Sequence, residues 1–457
     1  MHKRRRWLVG MPMLFMIAVA SIQAKAQSQP QSTTLTISKA IEMALAFNPS
    51  LKADSINKQI AGHQVSVARA DLRPQVNFNS KTEYNPAIAS QMLPGEIVGQ
   101  PSKDFIPVQF GTRYNMGSGV EANQSLYRRS SRLQVASAEL NTKITDTRYQ
   151  LSKEDLVYKV ATAWYELQAS IAMIRTTNKD HENIREIEAI ARMQYESGVL
   201  KRIDYESLRI NAANIQSQLN QLQSQYKEQV AYFKYQLGLP ADAEVSIPED
   251  INRSAPELPA GGTQLWTRED IHLYRQLIQS KELDIKKIKS EKEPVVNAYF
   301  RFNYQTQYNN ASDAFKNDYW FKSSTVGIST TIPLFDGRRR KSRQRVAESE
   351  LKQLEFRHEQ QQELASTEWS AANTTLNNDR QQVQITQENL VLAENVYKSR
   401  KGLYAEGVTT LIELLDAERE LSQSRNLHVQ ALINVQTSLV KAHKANGTLL
   451  TEFLNTL

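Results

Sequence analysis

Cysteine is absent from all 457 residues. Disulfides, thiol catalysis, zinc–thiolate sites and acylation of an N-terminal Cys are excluded with it. Long hydrophobic runs are nearly as scarce. Met11 to Ile22 is a sustained apolar stretch, but it is too short to cross a bilayer as a helix. It follows Lys3, Arg4, Arg5 and Arg6 and precedes Ala24-Lys25-Ala26, the layout of a secretory signal peptide, so residues 1–26 are expected to be a cleaved leader. That segment holds five of the 56 basic residues and none of the 49 acidic ones, so residues 27–457 carry only +2. The basic balance therefore belongs mostly to the leader and gives no reason to expect nucleic acid. No other run reaches spanning length, so entry into a membrane would have to be made by strands.

Proline is missing from Arg128 to Leu239, where the only glycines are Gly198 and Gly238. It is missing again from Arg338 to Asn446, where the only glycines are Gly402 and Gly407. Such stretches predict very long helices; 70 residues from Arg128 to Ser197 would reach about 105 Å at 1.5 Å per residue. Leu140, Ile144, Leu151, Leu156, Val160, Ala163, Leu167 and Ile174 recur at threes, fours and sevens, as in coiled-coil packing. Gln and Asn are dense throughout.

The chain also repeats itself. QYESGVLKRIDYESLRINA (Gln194 to Ala212) matches LYAEGVTTLIELLDAEREL (Leu403 to Leu421): Tyr195 falls on Tyr404, Gly198 on Gly407, Val199 on Val408 and Asp204 on Glu413. Gly238 and Gly447 keep the same offset, and weaker matches run upstream to Arg73 and Glu293. A period near 209 is an internal duplication rather than a solenoid. Each half reads helix, strand, loop, strand, very long helix, Gly turn, helix. The expected segments are 27–73 (N-terminal segment and first helix), 74–127 (first hairpin and its loop) and 128–239 (first long helical hairpin). They continue as 240–266 (linker), 267–293 (helix), 294–335 (second hairpin), 336–447 (second helical hairpin) and 448–457 (tail).

Strand alternation is strict. Val76, Phe78, Ser80, Thr82 and Tyr84 alternate with polar residues, as do Val296, Ala298, Phe300, Phe302 and Tyr304. Partner strands are expected around Phe110 to Ala122 and Thr325 to Leu334. A soluble sandwich alternates too, but strands of about 10 residues with Tyr, Trp and Phe clustered near their ends favour a membrane barrel. Four strands cannot close, since a small side-chain-filled barrel already needs about 8. An open edge in lipid leaves backbone groups unpaired. The chain must borrow strands from its own copies, and three copies would give 12.

LTISKAIEMALAFNPSLKA (Leu35 to Ala53), IPLFDGRRR (Ile332 to Arg340) and the second Gly-Val turn together resemble the TolC-type outer-membrane efflux proteins. The resemblance implies a mainly α protein with a transmembrane β portion: a homotrimeric 12-stranded barrel in the outer membrane, continued by a 12-helix periplasmic tunnel. It implies a passive exit duct for drugs or other small molecules, partnered by a periplasmic adaptor protein and an inner-membrane transporter of RND or ABC type. Type I protein secretion uses such ducts too, and a non-channel periplasmic coiled-coil scaffold is the rival from a different class. By position, Gly198, Val199, Leu200 and Gly407, Val408, Thr409 match the family's adaptor-docking tips. Asp204, Tyr404, Glu413 and Asp416 match its pore constriction, although Glu413 and Thr409 stand where Asp and Arg are familiar.

Independently of the resemblance, Glu413, Asp416 and Glu420 fall at i, i+3, i+7 on one helix face. Threefold symmetry would gather them into rings that favour cations, with crowding expected to raise their pKa values. RRRKSRQR (Arg338 to Arg345) and Arg128, Arg129 and Arg132 sit where strands leave the sheet, placed to face anionic headgroups or to form tunnel-wall salt bridges. Gly117-Ser118-Gly119 lies within a strand and reads as easing barrel curvature rather than as a nucleotide loop. The seven His residues form no ligand pair, and no nucleophile–base arrangement or phosphate loop appears. No metal, cofactor or enzymatic activity is expected.

Overall fold

The computed structural model describes residues 35–248 and 265–455. The expected leader and most of the linker (249–264) lie outside them. The first half runs α1 (Ile37–Phe47), α2 (Pro49–Ala70), β1 (Gln75–Tyr84), β2 (Ser90–Pro94), β3 (Phe105–Gln109), β4 (Tyr114–Tyr127), α3 (Arg129–Glu196) and α4 (Arg202–Leu237). The second runs α5 (Glu269–Ser290), β5 (Val295–Tyr308), β6 (Trp320–Thr331), α6 (Arg339–Ala405) and α7 (Leu411–Asn446), and a short α8 (Leu449–Asn455) closes the chain. Both halves share the order helix, strand, strand, long helix, shorter helix, to which the first adds α1 and the β2–β3 hairpin and the second α8. Among the described residues, no helix is long and apolar enough to cross a membrane.

β1, β4, β5 and β6 form one antiparallel sheet in the order β1-β4-β5-β6. Its register stacks like with like. Val76, Ala122, Phe300 and Val326 form one cross-strand row, while Asn77, Glu121, Arg301 and Thr325 form the next on the opposite face. On the polar face Arg301 Nε donates to Glu121 Oε1 at 2.9 Å. At the end of the sheet far from the helices, Tyr84, Tyr114 and Tyr308 stack with ring centroids 5.0 and 5.3 Å apart. Among the described residues much of the apolar face is uncovered, Phe78 being 69% exposed and Val326 79%, while Thr306 and Tyr308 at its far end are buried.

Three details depart from the sequence reading. Phe110 and Thr112 precede β4 rather than belonging to it, and the loop before them carries the small β2–β3 hairpin. β6 begins at Trp320 and stops at Thr331, so Ile332 and Leu334 lie beyond it. The strand glycines serve clearance. A Cβ on Gly119 would sit 2.3 Å from Asn303 Oδ1, and one on Gly327 would sit 2.5 Å from the ring of Tyr299.

α3 has 68 residues and α6 has 67, each about 100 Å long by helical rise. A rod of that length cannot wrap one core, and the buried apolar residues fall into separate clusters along it. The largest joins α1, α3, α4 and α7 around Trp164, Leu167, Phe233 and Val440. A second lies near the tips, built from Ile184, Ile187, Leu208, Leu414 and Leu421. Of the coiled-coil positions read on α3, Ile144, Leu156, Val160, Ala163 and Leu167 are buried, while Leu140, Leu151 and Ile174 are half-buried.

The Asn48-Pro49 pair ties the two ends of the first half together. Asn48 Oδ1 caps α2 by accepting from the amides of Ser50 and Leu51, and its Nδ2 donates to Gln236 O at 2.9 Å. Gly238, which ends α4 at φ +71, lies against that turn, where an added Cβ would stand 2.5 Å from Phe47 O. Gly407 ends α6 at φ +75 with nothing within 4 Å. Gly407→Ala should therefore cost about 1–2 kcal/mol for its left-handed backbone alone, and Gly238→Ala about 3 kcal/mol or more because the backbone there must also move. Thermal unfolding of the two variants checks this; equal losses would refute the clearance argument.

Candidate functional site: the hairpin tips

The two Gly-Val turns have one geometry. Val199 N donates to Gln194 O at 2.8 Å and Gly198 N to Tyr195 O at 3.0 Å; Val408 N donates to Leu403 O at 2.9 Å and Gly407 N to Tyr404 O at 3.0 Å. This is the Schellman closure, and it requires a left-handed residue at the glycine. Gly198 and Gly407 supply it at φ 76 and 75. The following Val side chains are left bare, Val199 77% and Val408 70% exposed, whereas Leu200 and Thr409 are half-buried. The tips thus end the molecule in two apolar knobs on rigid turns.

The acid six residues after each glycine is the third residue of the helix leaving the tip, Asp204 in α4 and Glu413 in α7. There a carboxylate faces unpaired helix amides. Glu413 completes a capping box: Thr410 Oγ1 accepts from Glu413 N at 3.3 Å, and Thr410 N donates to Glu413 Oε2 at 3.2 Å. Thr409 Oγ1 also donates to Glu413 Oε2, and Arg400 Nη1 lies 3.5 Å from that oxygen. Within the protomer these contacts, the Thr409 hydroxyl foremost, the Thr410 amide next and Arg400 after them, hold the Glu413 carboxyl below its ordinary range. Hydrogen bonds to the charged form decide the sign of this shift within one protomer; the upward shift expected from crowding belongs to the assembly of three.

Glu413, Asp416 and Glu420 do share one face, lining a groove between α6 and α7 together with Arg400, Asn389 and Gln423. Asp416 pairs with Arg419 at 3.2 Å, both exposed. Asp204 is half-buried in the first turn of α4. The partner of the Tyr404 hydroxyl is Gln194 Oε1 at 2.7 Å, a contact that ties the two hairpins together beside Lys401–Glu186 at 2.5 Å. Tyr404 is buried, while its repeat mate Tyr195 is exposed and stacks on Tyr205 at 5.3 Å. Gln194 was legible as the first residue of the repeated motif. Arg400 carried no such signal.

Sequence reasoning also missed a buried ionic cluster behind the tips. Asp180 of α3, 2% exposed, accepts from Ser422 Oγ at 2.5 Å and Arg425 Nη1 at 2.9 Å of α7. Next to it Glu418 is 3% exposed, and its Oε1 has no partner; nor has the buried hydroxyl of Tyr397 on α6. Burial first, and the Asp180 charge second, push Glu418 up to about 7 against the weaker pull of Arg425 and Arg419. A signal existed: Leu411, Leu414, Glu418, Leu421, Arg425 and His428 keep coiled-coil spacing on α7, so the ionisable residues interrupt an apolar stripe.

The family profile described as outer membrane efflux protein matches residues 40–238 and 268–448, two segments that coincide with the two halves. The chain is 19% identical to the outer membrane protein TolC of Escherichia coli (strain K12) over 468 residues, covering 96% of this chain and 86% of that protein. Among solved structures, VceC of Vibrio cholerae superposes at a TM-score of 0.74 with 16% identity, covering 90% of this chain and 96% of that one. The open state of the Neisseria gonorrhoeae MtrE channel superposes at 0.70 with 17% identity, covering 90% and 89%. At these identities the superpositions establish the fold.

The raised Glu418 carboxyl has a definite pH signature. The folded chain keeps its proton between about pH 4.5 and 7 while the unfolded chain releases it, so stability falls as pH rises through that window and is level above it. The full effect is on the order of 3 kcal/mol. Glu418→Gln should therefore unfold with a smaller drop in melting temperature between pH 5 and pH 8 than the parent; an unchanged drop would show that Glu418 is ionised in the folded state.

Proposed function

The chain belongs to the outer membrane efflux protein family, and from that premise we propose that it is the outer-membrane exit duct of a tripartite efflux system. It would conduct drugs or other small molecules passively from an inner-membrane transporter of RND or ABC type, through a periplasmic adaptor. The observation that carries this reading is the sheet: four antiparallel strands in register but for one bulge between Ser125 and Tyr127, an apolar face largely open to the surroundings, and two edges, β1 and β6, unpaired among the described residues. In lipid each unpaired backbone group costs several kcal/mol. β6 of one copy joining β1 of the next removes both edges, and a homotrimer gives 12 strands, an even number within the usual range. A periplasmic coiled-coil scaffold has no use for such a sheet.

On this reading the long hairpins continue the barrel into the periplasm and their tips form its lower mouth. Val199 and Val408, rigid and bare, are the apolar contacts offered to an adaptor, with Gly198, Leu200, Gly407 and Thr409 shaping the turns. Glu413 and Asp416, with Asp204 beside the neighbouring tip, would ring the constriction. Tyr404 would brace it through Gln194. Arg400 sits against Glu413 and would temper that ring's charge. The chemistry is that of a selective passage, with no reacting group.

Purified in detergent, the protein should run as three copies of the chain that remains after removal of the expected leader; a monomer with closed sheet edges would overturn the duct. In planar bilayers under a salt gradient, the parent should favour cations. Replacing both Glu413 and Asp416 with Ala should move the reversal potential toward zero and weaken block by multivalent cations. An unshifted potential would take both residues out of the pore. Because Glu413 also caps α7, the variant is expected to lose about 0.5–2 kcal/mol of stability, which a thermal melt separates from the change in selectivity.

A further inference from the structure

The charge of this chain is sorted by height. Residues 27–457 carry +2 in all. The four junctions where strands meet helices, residues 71–75, 126–132, 287–295 and 336–345, hold 13 basic and four acidic residues, a net +9. The register places these segments together at the helical end of the sheet, since Gln75 lies opposite Asn123 and Val295 opposite Thr331. Everything else must then sum to about −7 by difference from the same sequence.

Most of the acids present are already engaged. Glu293 takes Arg129 at 2.8 Å, Glu291 takes Arg343 at 2.9 Å and Asp336 takes Arg340 at 3.8 Å. Arg128, Arg132, Arg338, Arg339, Lys341 and Arg345 are exposed and have no acidic partner among the described residues. Their placement is also unfavourable in isolation. α3 and α6 both begin here with no acid in the first turn, so cations crowd helix ends whose dipoles favour anions. Immediately before the α6 run stand Ile332, Leu334 and Phe335, 52%, 93% and 85% exposed. Bare apolar side chains followed within a few residues by bare cations are the order in which a chain crosses from hydrocarbon to headgroups.

We propose that this basic collar is a binding site for the phosphate headgroups of anionic phospholipids in the periplasm-facing leaflet of the outer membrane. The inference rests on the reading of the sheet as a membrane barrel. A second copy cannot be the counter-charge, because each protomer brings its own +9 to the same level. Lys341 and Arg345, at i and i+4, share one face of the first turns of α6, Arg338 stands at its N-cap, and these three are the residues assigned to a headgroup.

The test uses the intact trimer and the triple variant R338Q/K341Q/R345Q. Its control is K143Q/K179Q/K227Q, which removes three exposed charges elsewhere. Native mass spectrometry and melting temperature are followed against phosphatidylglycerol, phosphatidylcholine and inorganic phosphate. The parent and the control should retain phosphatidylglycerol and be stabilised by it, while the collar variant binds it at least about tenfold more weakly, each lost cation being worth about 1 kcal/mol near an anionic surface. Equal binding by the collar variant overturns the proposal. So does equal stabilisation of the parent by inorganic phosphate, which would make the site one for free anions. A collar variant that binds lipid normally but shifts the reversal potential places the stripe in the lumen and also overturns it. Conductance of the parent in bilayers is scored separately: its absence sinks the duct reading, whereas a conducting parent indifferent to phosphatidylglycerol sinks the collar alone.

Discussion

The constraint on which everything else depends is that a strand edge in hydrocarbon has no water to bond. The sheet of this protein is well formed internally, with four strands in register, matched cross-strand rows and a tyrosine ladder at one end. It nevertheless ends in two open edges. A soluble protein would blunt such edges with charge, proline or a covering helix. Here they stay long and bare, and the apolar face beside them stays largely uncovered. In lipid a fold left incomplete in this way needs a partner edge, and the proposed trimer supplies one at each end of the sheet.

The helices meet a related problem by other means. A rod of nearly 70 residues cannot bury a single core, so stability comes from successive clusters along an apolar seam shared by α3, α4, α6 and α7. The seam is interrupted near the tips by Asp180, Glu418 and Arg425. Buried ionic groups of this kind are poor contributors to stability, since desolvation offsets most of the attraction. A charge that finds its partners at only one position along two rods opposes their sliding. The unpartnered Glu418 oxygen marks where that arrangement is least satisfied.

At the tips, local backbone chemistry and the proposed site coincide. Glycine is needed to close the helix, the carboxylate three residues into the next helix is needed to open it, and the valine between them has nowhere to hide. A turn stiffened at both ends presents its apolar knob in a fixed place, as a docking contact requires. The same economy complicates any reading of Glu413, whose carboxylate answers first to Thr409 and Thr410 and only then to whatever the assembly brings near it.

Much of this was legible without coordinates because it is periodic. Alternation by two set the strands and their faces, spacing by threes and fours set the long helices, and the 209-residue repeat set the two tips and the shared place of Asp204 and Glu413. What remained hidden was non-periodic and remote in sequence. Tyr404 finding Gln194, Asp180 meeting Arg425 across 245 positions, Arg400 beside Glu413, and the gathering of dispersed basic residues at one level all depend on which rods lie side by side and at what stagger. Sequence spacing fixes which face a side chain occupies on its own element; only the packing of elements against one another fixes what stands opposite that face, because partners hundreds of residues apart leave no local pattern to read.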